Sequence, residues 1–418
     1  MRGSAVSPLR TPSAKTACAE AVALRTLITG IGGIASGDID APLLDGDSIS
    51  IVDGRIEAIG HELSGRDDAD RVIDAHGTTV IPGLIDSHVH PVLGDFTPRQ
   101  RTIDFIESSL HGGVTTMISA GEPHVPGRPK DIVGLKALAI AIARAYATFR
   151  PGGVKVRAGA PILEHGLVEA DFAEMAAGGV QLIGEIGLGS VKTGADAAPM
   201  VAWGRAHGMV STYHTGGPSL PGSGAIGADA VLEANPHIAG HINGGTTSLP
   251  EADIDRLVAA ESGIALELVH CGNGRTALVA LRKAADAGAL GRVILGNDAP
   301  SGTGVVPLGI LRLMAHLASL GGVSPETVVA FATGNTARVH SLDTGVIAPG
   351  RAADLCIVDA PIGSVGTTAL EALANGDIPG VSMVFVDGVP LIGRSRNTAP
   401  AGRMAEVVTG TAVGGVGH

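Results

Sequence analysis

Between Val80 and about Pro300 the chain alternates short apolar runs with Ala/Leu/Glu/Arg-rich stretches of helical periodicity. The apolar runs are 78–88 (TTVIPGLIDSH), 113–120 (GVTTMISA), 154–163 (VKVRAGAPIL), 180–187 (VQLIGEIG), 209–214 (MVSTYH), 237–243 (HIAGHIN), 264–270 (IALELVH) and 292–298 (RVILGND). Eight alternating strand–helix units over roughly 250 residues predict an α/β fold, the (β/α)8 or TIM barrel. Aromatic residues make up only 2% of the chain. The core must then be built from Ala, Val, Ile and Leu, as suits parallel strands buried on both faces.

The flanks follow a different pattern. Residues 25–76 hold short alternating runs (TLITGIGGI, SISIVDGRIEAIG, RVIDAHG) between Gly and Asp turns, and 345–393 repeat the style in GVIAPGRAADLCIVDA and SMVFVDGVPLIG. Neither flank has strands enough to close a core alone, so both ends of the chain are expected to pair into one small β-sandwich. The expected organisation is a tail over 1–24, a β-sandwich from 25–80 and 343–396, a barrel over 81–342, and a Gly/Ala-rich tail over 397–418.

Net charge is −12 and no concentrated Lys/Arg surface is visible, which argues against a nucleic-acid partner. No run approaches the ~20 apolar residues of a membrane span, and the Ala-rich stretch 17–24 is broken by Glu20. Cys18, Cys271 and Cys356 lie far apart and form no disulfide framework, as expected of a cytoplasmic protein.

A barrel of this kind carries its active site at the C-terminal ends of its strands. The first barrel strand ends Asp86-Ser87-His88-Val89-His90, and residues two apart in a strand point to one side. The fourth carries Glu185, the fifth ends in His214, the sixth carries His241 and the eighth ends in Asp298. Each has a bland reading alone: an isolated HxH is weak, Glu185 could sit in an ion pair, and Asp298 could cap the turn after it. Six such residues at the same end of five strands have no good structural explanation, because unpaired buried carboxylates are costly. Four imidazoles and two carboxylates suit a borderline divalent metal such as zinc, with iron or manganese as alternatives. His76, His111, His207, His237 and His340 lie in connecting segments or at strand starts and read as structural.

The segment IPGLIDSHVH (81–90) resembles the first-strand signature of the amidohydrolase superfamily, whose usual accessory domain the predicted sandwich matches. Segments 98–131 (PRQRTIDFIESSLHGGVTTMISAGEPHVPGRPKD), 184–192 (GEIGLGSVK), 214–223 (HTGGPSLPGS) and 296–304 (GNDAPSGTG) resemble its enamidase branch, which acts in nicotinate degradation. The resemblance runs from about residue 25 to 397. It implies two divalent ions: His88, His90 and Asp298 on the more buried one, Glu185 bridging, and His214 and His241 on the second. Many relatives bridge with a carboxylated lysine; Lys192, seven residues beyond Glu185, reads instead as a loop lysine.

The implied activity is hydrolysis of a cyclic amide (an enamide or lactam) such as 6-oxo-1,4,5,6-tetrahydronicotinate, by attack of a metal-bridging hydroxide with Asp298 as general base and then acid. A carboxylated substrate needs a cationic anchor. Arg99, Arg128, Lys130 and Arg275 lie near loops on the active-site face, and His124 and His270 are further candidate contacts. His270 departs from the uncharged amide residue more typical of the branch. The resemblance also suggests a homotetramer.

Three other readings compete. A single-metal aminohydrolase would place an acid shortly after the fifth-strand histidine, whereas His214 is followed by Thr215, Gly216, Gly217 and Pro218. A non-catalytic scaffold should have lost ligands. A hydantoinase or dihydroorotase would share the metal chemistry and differ in its loops.

Overall fold

The computed structural model describes residues 24–63, 68–94, 102–121, 125, 127–218, 224–244, 247–300, 304 and 306–411. Among them the barrel strands are β1 (Leu84–Val89), β2 (Val114–Ser119), β3 (Lys155–Arg157), β4 (Leu182–Ile186), β5 (Val210–Tyr213), β6 (Ile238–Ala239), β7 (Ala265–Val269) and β8 (Val293–Gly296). Each is followed by a helix, from Thr102–Leu110 after β1 to Gly309–Leu320 after β8. Neighbours pair in parallel from β1 to β3 and from β4 to β8.

Hydrogen bonds close the ring at both seams. Gly184 N donates to Pro161 O (3.0 Å) between β4 and the segment after β3, and Asp298 N donates to His88 O (2.8 Å) between the ends of β8 and β1. β1, β2, β4, β7 and β8 are buried along their full length. At the second seam the chains touch so closely that a Cβ on Gly296 would lie 2.6 Å from His88 Cβ. Only glycine lets β8 approach β1 there.

The flanks form two facing sheets. One runs Glu406–Thr409, Arg71–Asp74, Arg25–Thr29, Ser48–Val52, Arg55–Gly60, and the other Val389–Ile392, Gly380–Val386, Leu355–Asp359, Thr79–Pro82, Gly33–Ala35, Leu43–Leu44. Ile28, Ile49, Ile73, Val80, Leu355, Ile357 and Phe385 fill the space between them as a core separate from the barrel's. Burying alternate residues of both sheets is what the period-two runs of the flanks encode.

Two expectations need correction. The run 78–88 is not one strand: it breaks at Gly83, with Thr79–Pro82 in the sandwich and β1 in the barrel. A Cβ on Gly83 would lie 2.3 Å from Thr115 Oγ1, so the chain can pass between the two bodies only as glycine. Nor is 397–418 a tail throughout. Glu406–Thr409 pairs antiparallel with Arg71–Asp74, and Arg403 is tied to Asp359 (Nη2–Oδ1, 2.6 Å). The edge strand Arg71–Asp74 thereby gains a ladder partner for its free backbone groups. The expected N-terminal tail, apart from Leu24, lies outside the described residues, as do 412–418.

Candidate metal centre

β1 delivers His88 and His90 to the C-terminal mouth of the barrel with both rings buried. Glu185, from β4, lies at the centre of the cluster. Its Oε1 is 2.7 Å from His241 Nε2, 3.2 Å from His214 Nδ1 and 3.7 Å from His88 Nε2, and its Oε2 is 3.7 Å from His90 Nε2. Asp298, just past β8, brings Oδ1 to 3.3 Å from His90 Nε2 and 3.8 Å from His88 Nε2. The six candidate ligands thus converge, and they contain two triads with metal-binding spacing: His88, His90, Asp298 and His88, Glu185, His241. Lys192, by contrast, is exposed beyond the end of β4.

Three of the imidazoles are held from behind. His88 Nδ1 meets Glu267 Oε2 at 2.6 Å, His90 Nδ1–H donates to Gly121 O at 2.7 Å, and His214 Nε2–H donates to Gly217 O at 3.3 Å. Binding one ring nitrogen outside aims the other at the carboxylates in the centre. His88 Nε2 is buried there and finds no hydrogen-bond partner among the described residues, as expected of an atom that would ligate a cation. The donor set therefore fits a divalent metal.

The electrostatics agree. Burial drives the Glu185 carboxyl up, but charged His88 and hydrogen bonds from His214 and His241 outweigh it and hold the group well below its ordinary range. Asp298 is likewise ionised: burial opposes this, while the hydrogen bond from His90 and the charges of His88, His241 and His90 prevail. Burial would depress His88, yet Glu267 and Glu185 hold it well above its usual value. Buried carboxylates this close require positive charge among them. Two positions also carry backbone strain, since His241 (φ 32°) and Asp298 (φ 58°) are non-glycine residues at positive φ. Such strain gathers at sites where the surroundings dictate side-chain direction.

Glu267 was not among the sequence candidates. It is fully buried on β7, accepts from Ser87 Oγ (2.5 Å) and from His241 N (3.2 Å), and holds His88. The available signal was a lone acid inside the apolar run IALELVH, where an unpaired carboxylate would be costly.

The candidate substrate contacts are scattered. Arg128 is half-buried and paired with Glu164 (3.1 Å), whose other oxygen accepts from Ser190 N (2.8 Å). Lys130 and Arg275 are exposed. His270 is half-buried at the end of β7, its pKa lowered by burial and, less strongly, by Arg312 and His316. Arg99 and His124 lie outside the described residues.

The amidohydrolase family model matches residues 201–391. The enamidase of Eubacterium barkeri is 54% identical over 385 residues, covering 92% of this chain and 100% of that protein. A solved enamidase crystal structure, also 54% identical, superposes with a TM-score of 0.89 over 92% of this chain and 100% of that one. Adenine deaminase 2 of Rhizobium meliloti is 27% identical over 77% of this chain, which spans about half of that longer protein (52%). An identity of 54% along the whole length of an enamidase, on the same fold, shows that this chain belongs to the amidohydrolase superfamily and to its enamidase branch.

Proposed function

We propose that the protein hydrolyses the ring amide of a carboxylated cyclic enamide of the 6-oxo-1,4,5,6-tetrahydronicotinate type, as a cytoplasmic homotetramer in nicotinate degradation. The convergence of His88, His90, His214, His241 and Asp298 around Glu185 carries the reading, supported by likeness to an enamidase along its whole length. His88, His90 and Asp298 would hold one divalent ion and His214 and His241 a second, with Glu185 between them; zinc is preferred, and iron or manganese suit the same donors. When bound, such ions lower the pKa of water towards ~7 and polarise an amide carbonyl.

The chain's own residues supply the rest. Asp298, kept ionised by its histidines, accepts a proton from the attacking water at its carboxylate. It returns that proton to the ring nitrogen as the C–N bond breaks, leaving a free enamine and a new carboxyl group that releases the water's second proton to solvent as it ionises. Glu267 and the carbonyls of Gly121 and Gly217 keep the imidazoles from turning. Arg128 suits the substrate's carboxylate: it follows β2 on the active-site face, and its Nη1 is buried without a partner among the described residues.

The test is turnover of 6-oxo-1,4,5,6-tetrahydronicotinate beside hydantoin and dihydroorotate, with metal content measured on the same preparation. Ring opening of the first compound is expected. If it is inert while hydantoins are cleaved, the substrate assignment fails.

A further inference from the structure

The barrel also has a polar cavity at its N-terminal mouth, on the face opposite the candidate metal centre. Ile85, Ile118, Leu182, Ala337 and Leu342 close the barrel floor as a small apolar cluster. Beside it is a cavity of about 200 Å³ whose lining includes Thr116, Arg150, Lys155, Arg157, Asp343 and Thr344. Register explains the grouping. Lys155 and Arg157 are two apart on β3 and share a face, and Thr116 on β2 stands directly opposite Lys155.

The cations here are not equally neutralised. Arg150 is paired with Asp387 (2.8 Å), and Lys155 with Asp354 (2.9 Å) and Asp387 (2.6 Å). Asp343 is exposed and joined to Arg55 (3.0 Å). Arg157, half-buried, makes one side-chain hydrogen bond among the described residues, from Nη1 to His340 O at 2.9 Å, and no ion pair. Burial pulls its pKa down, and Asp343 offsets this only in part. Thr116 and Thr344 line the same cavity, 2% and 3% exposed, and their buried hydroxyls find no partner among the described residues. A guanidinium with four N–H groups that no described residue accepts, in one cavity lining with two threonines whose hydroxyls are unpartnered among the described residues, is a set that recognises an oxyanion. Arg55, Arg150, Lys155 and Arg157 against Asp343, Asp354 and Asp387 leave one positive charge over, on Arg157, in a chain of net charge −12.

The geometry points to a binding site for a small oxyanion (phosphate or a short dicarboxylate) between Arg157, Thr116 and Thr344, separate from the metal centre. It does not depend on the proposed substrate.

Calorimetric titration of the metal-loaded full-length protein with inorganic phosphate, and separately with glutarate, tests it, with chloride of equal ionic strength as control. Phosphate can also bind metals, so the same titrations are run on Arg157→Gln, Thr344→Val and Asp298→Asn. At least one of the two anions is expected to show a saturable site that persists in Asp298→Asn, disappears in Arg157→Gln, and weakens roughly five- to tenfold in Thr344→Val. Turnover of both floor variants should stay near that of the native protein. If Arg157→Gln does not fold, Thr344→Val decides. Binding by neither anion, binding unchanged in the floor variants, or loss of the site in Asp298→Asn would overturn the proposal; the anion that binds names the source.

Discussion

Glu267 and His88, 179 positions apart in the chain, meet at 2.6 Å through Oε2 and Nδ1 at the bottom of the candidate metal centre. Glu267 also takes the Ser87 hydroxyl and the His241 backbone N–H, so one buried carboxylate sets the pose of two proposed ligands. Glu267→Gln keeps the shape but removes the charge that favours Nδ1–H. Metal affinity is expected to fall about 10–100-fold. Chelator competition reads it, and excess metal should restore part of the activity; unchanged affinity would remove Glu267 from the positioning role.

Asp298→Asn retains the side-chain volume and one ligand oxygen but cannot accept a proton. Turnover is expected to drop roughly 10²–10⁴-fold while the purified protein still carries metal. Elemental analysis beside steady-state kinetics checks both halves. Normal turnover in this variant would refute the acid/base assignment.

Lys192 offers a contrast. It is exposed past the end of β4, whereas Glu185 lies buried among the imidazoles. Lys192→Ala should leave metal content unchanged and turnover within about twofold, as for an ordinary surface substitution, and added bicarbonate should not alter either. Glu185→Gln should lose metal. The opposite pattern would indicate a carboxylated lysine.

His340 makes stability fall in acid. It is buried beside the barrel floor with both ring nitrogens unpartnered among the described residues, and burial, with smaller contributions from Arg157 and His237, lowers its pKa to about 3. The unfolded chain protonates this residue below pH ~6.5 while the folded one does not until about pH 3. Stability from this group is therefore complete above the unfolded value and declines as pH drops between the two. By pH 5 the loss is about 2 kcal/mol relative to pH above 7. Denaturant melts of His340→Leu across this range should show a shallower acid slope; an unaltered slope would contradict the assignment.

Much of this was legible in the chain itself. The eight apolar runs and the helical stretches between them specify a barrel because period and length are local properties, and His88, His90, Glu185, His214, His241 and Asp298 stand out because polar ligand-type residues end strands that are otherwise apolar. Likeness of sequence to a known branch supplied the order in which they would share metals.

Other features were settled only by packing. Thr79–Val89 looks continuous in sequence, yet Gly83 divides it between two bodies, since the crowding at Thr115 comes from a strand some thirty residues away. Glu406–Thr409 is a strand because Arg71–Asp74 offers it an edge. Glu267, Arg157, Thr116 and Thr344 acquire meaning only from what stands opposite them. The residue pattern by itself determined the barrel and its ring of candidate ligands, because hydrophobic periodicity acts along the chain. The tertiary structure alone decided which carboxylate holds His88 and which cation finds no counterion among the described residues, because desolvation and pairing act through space.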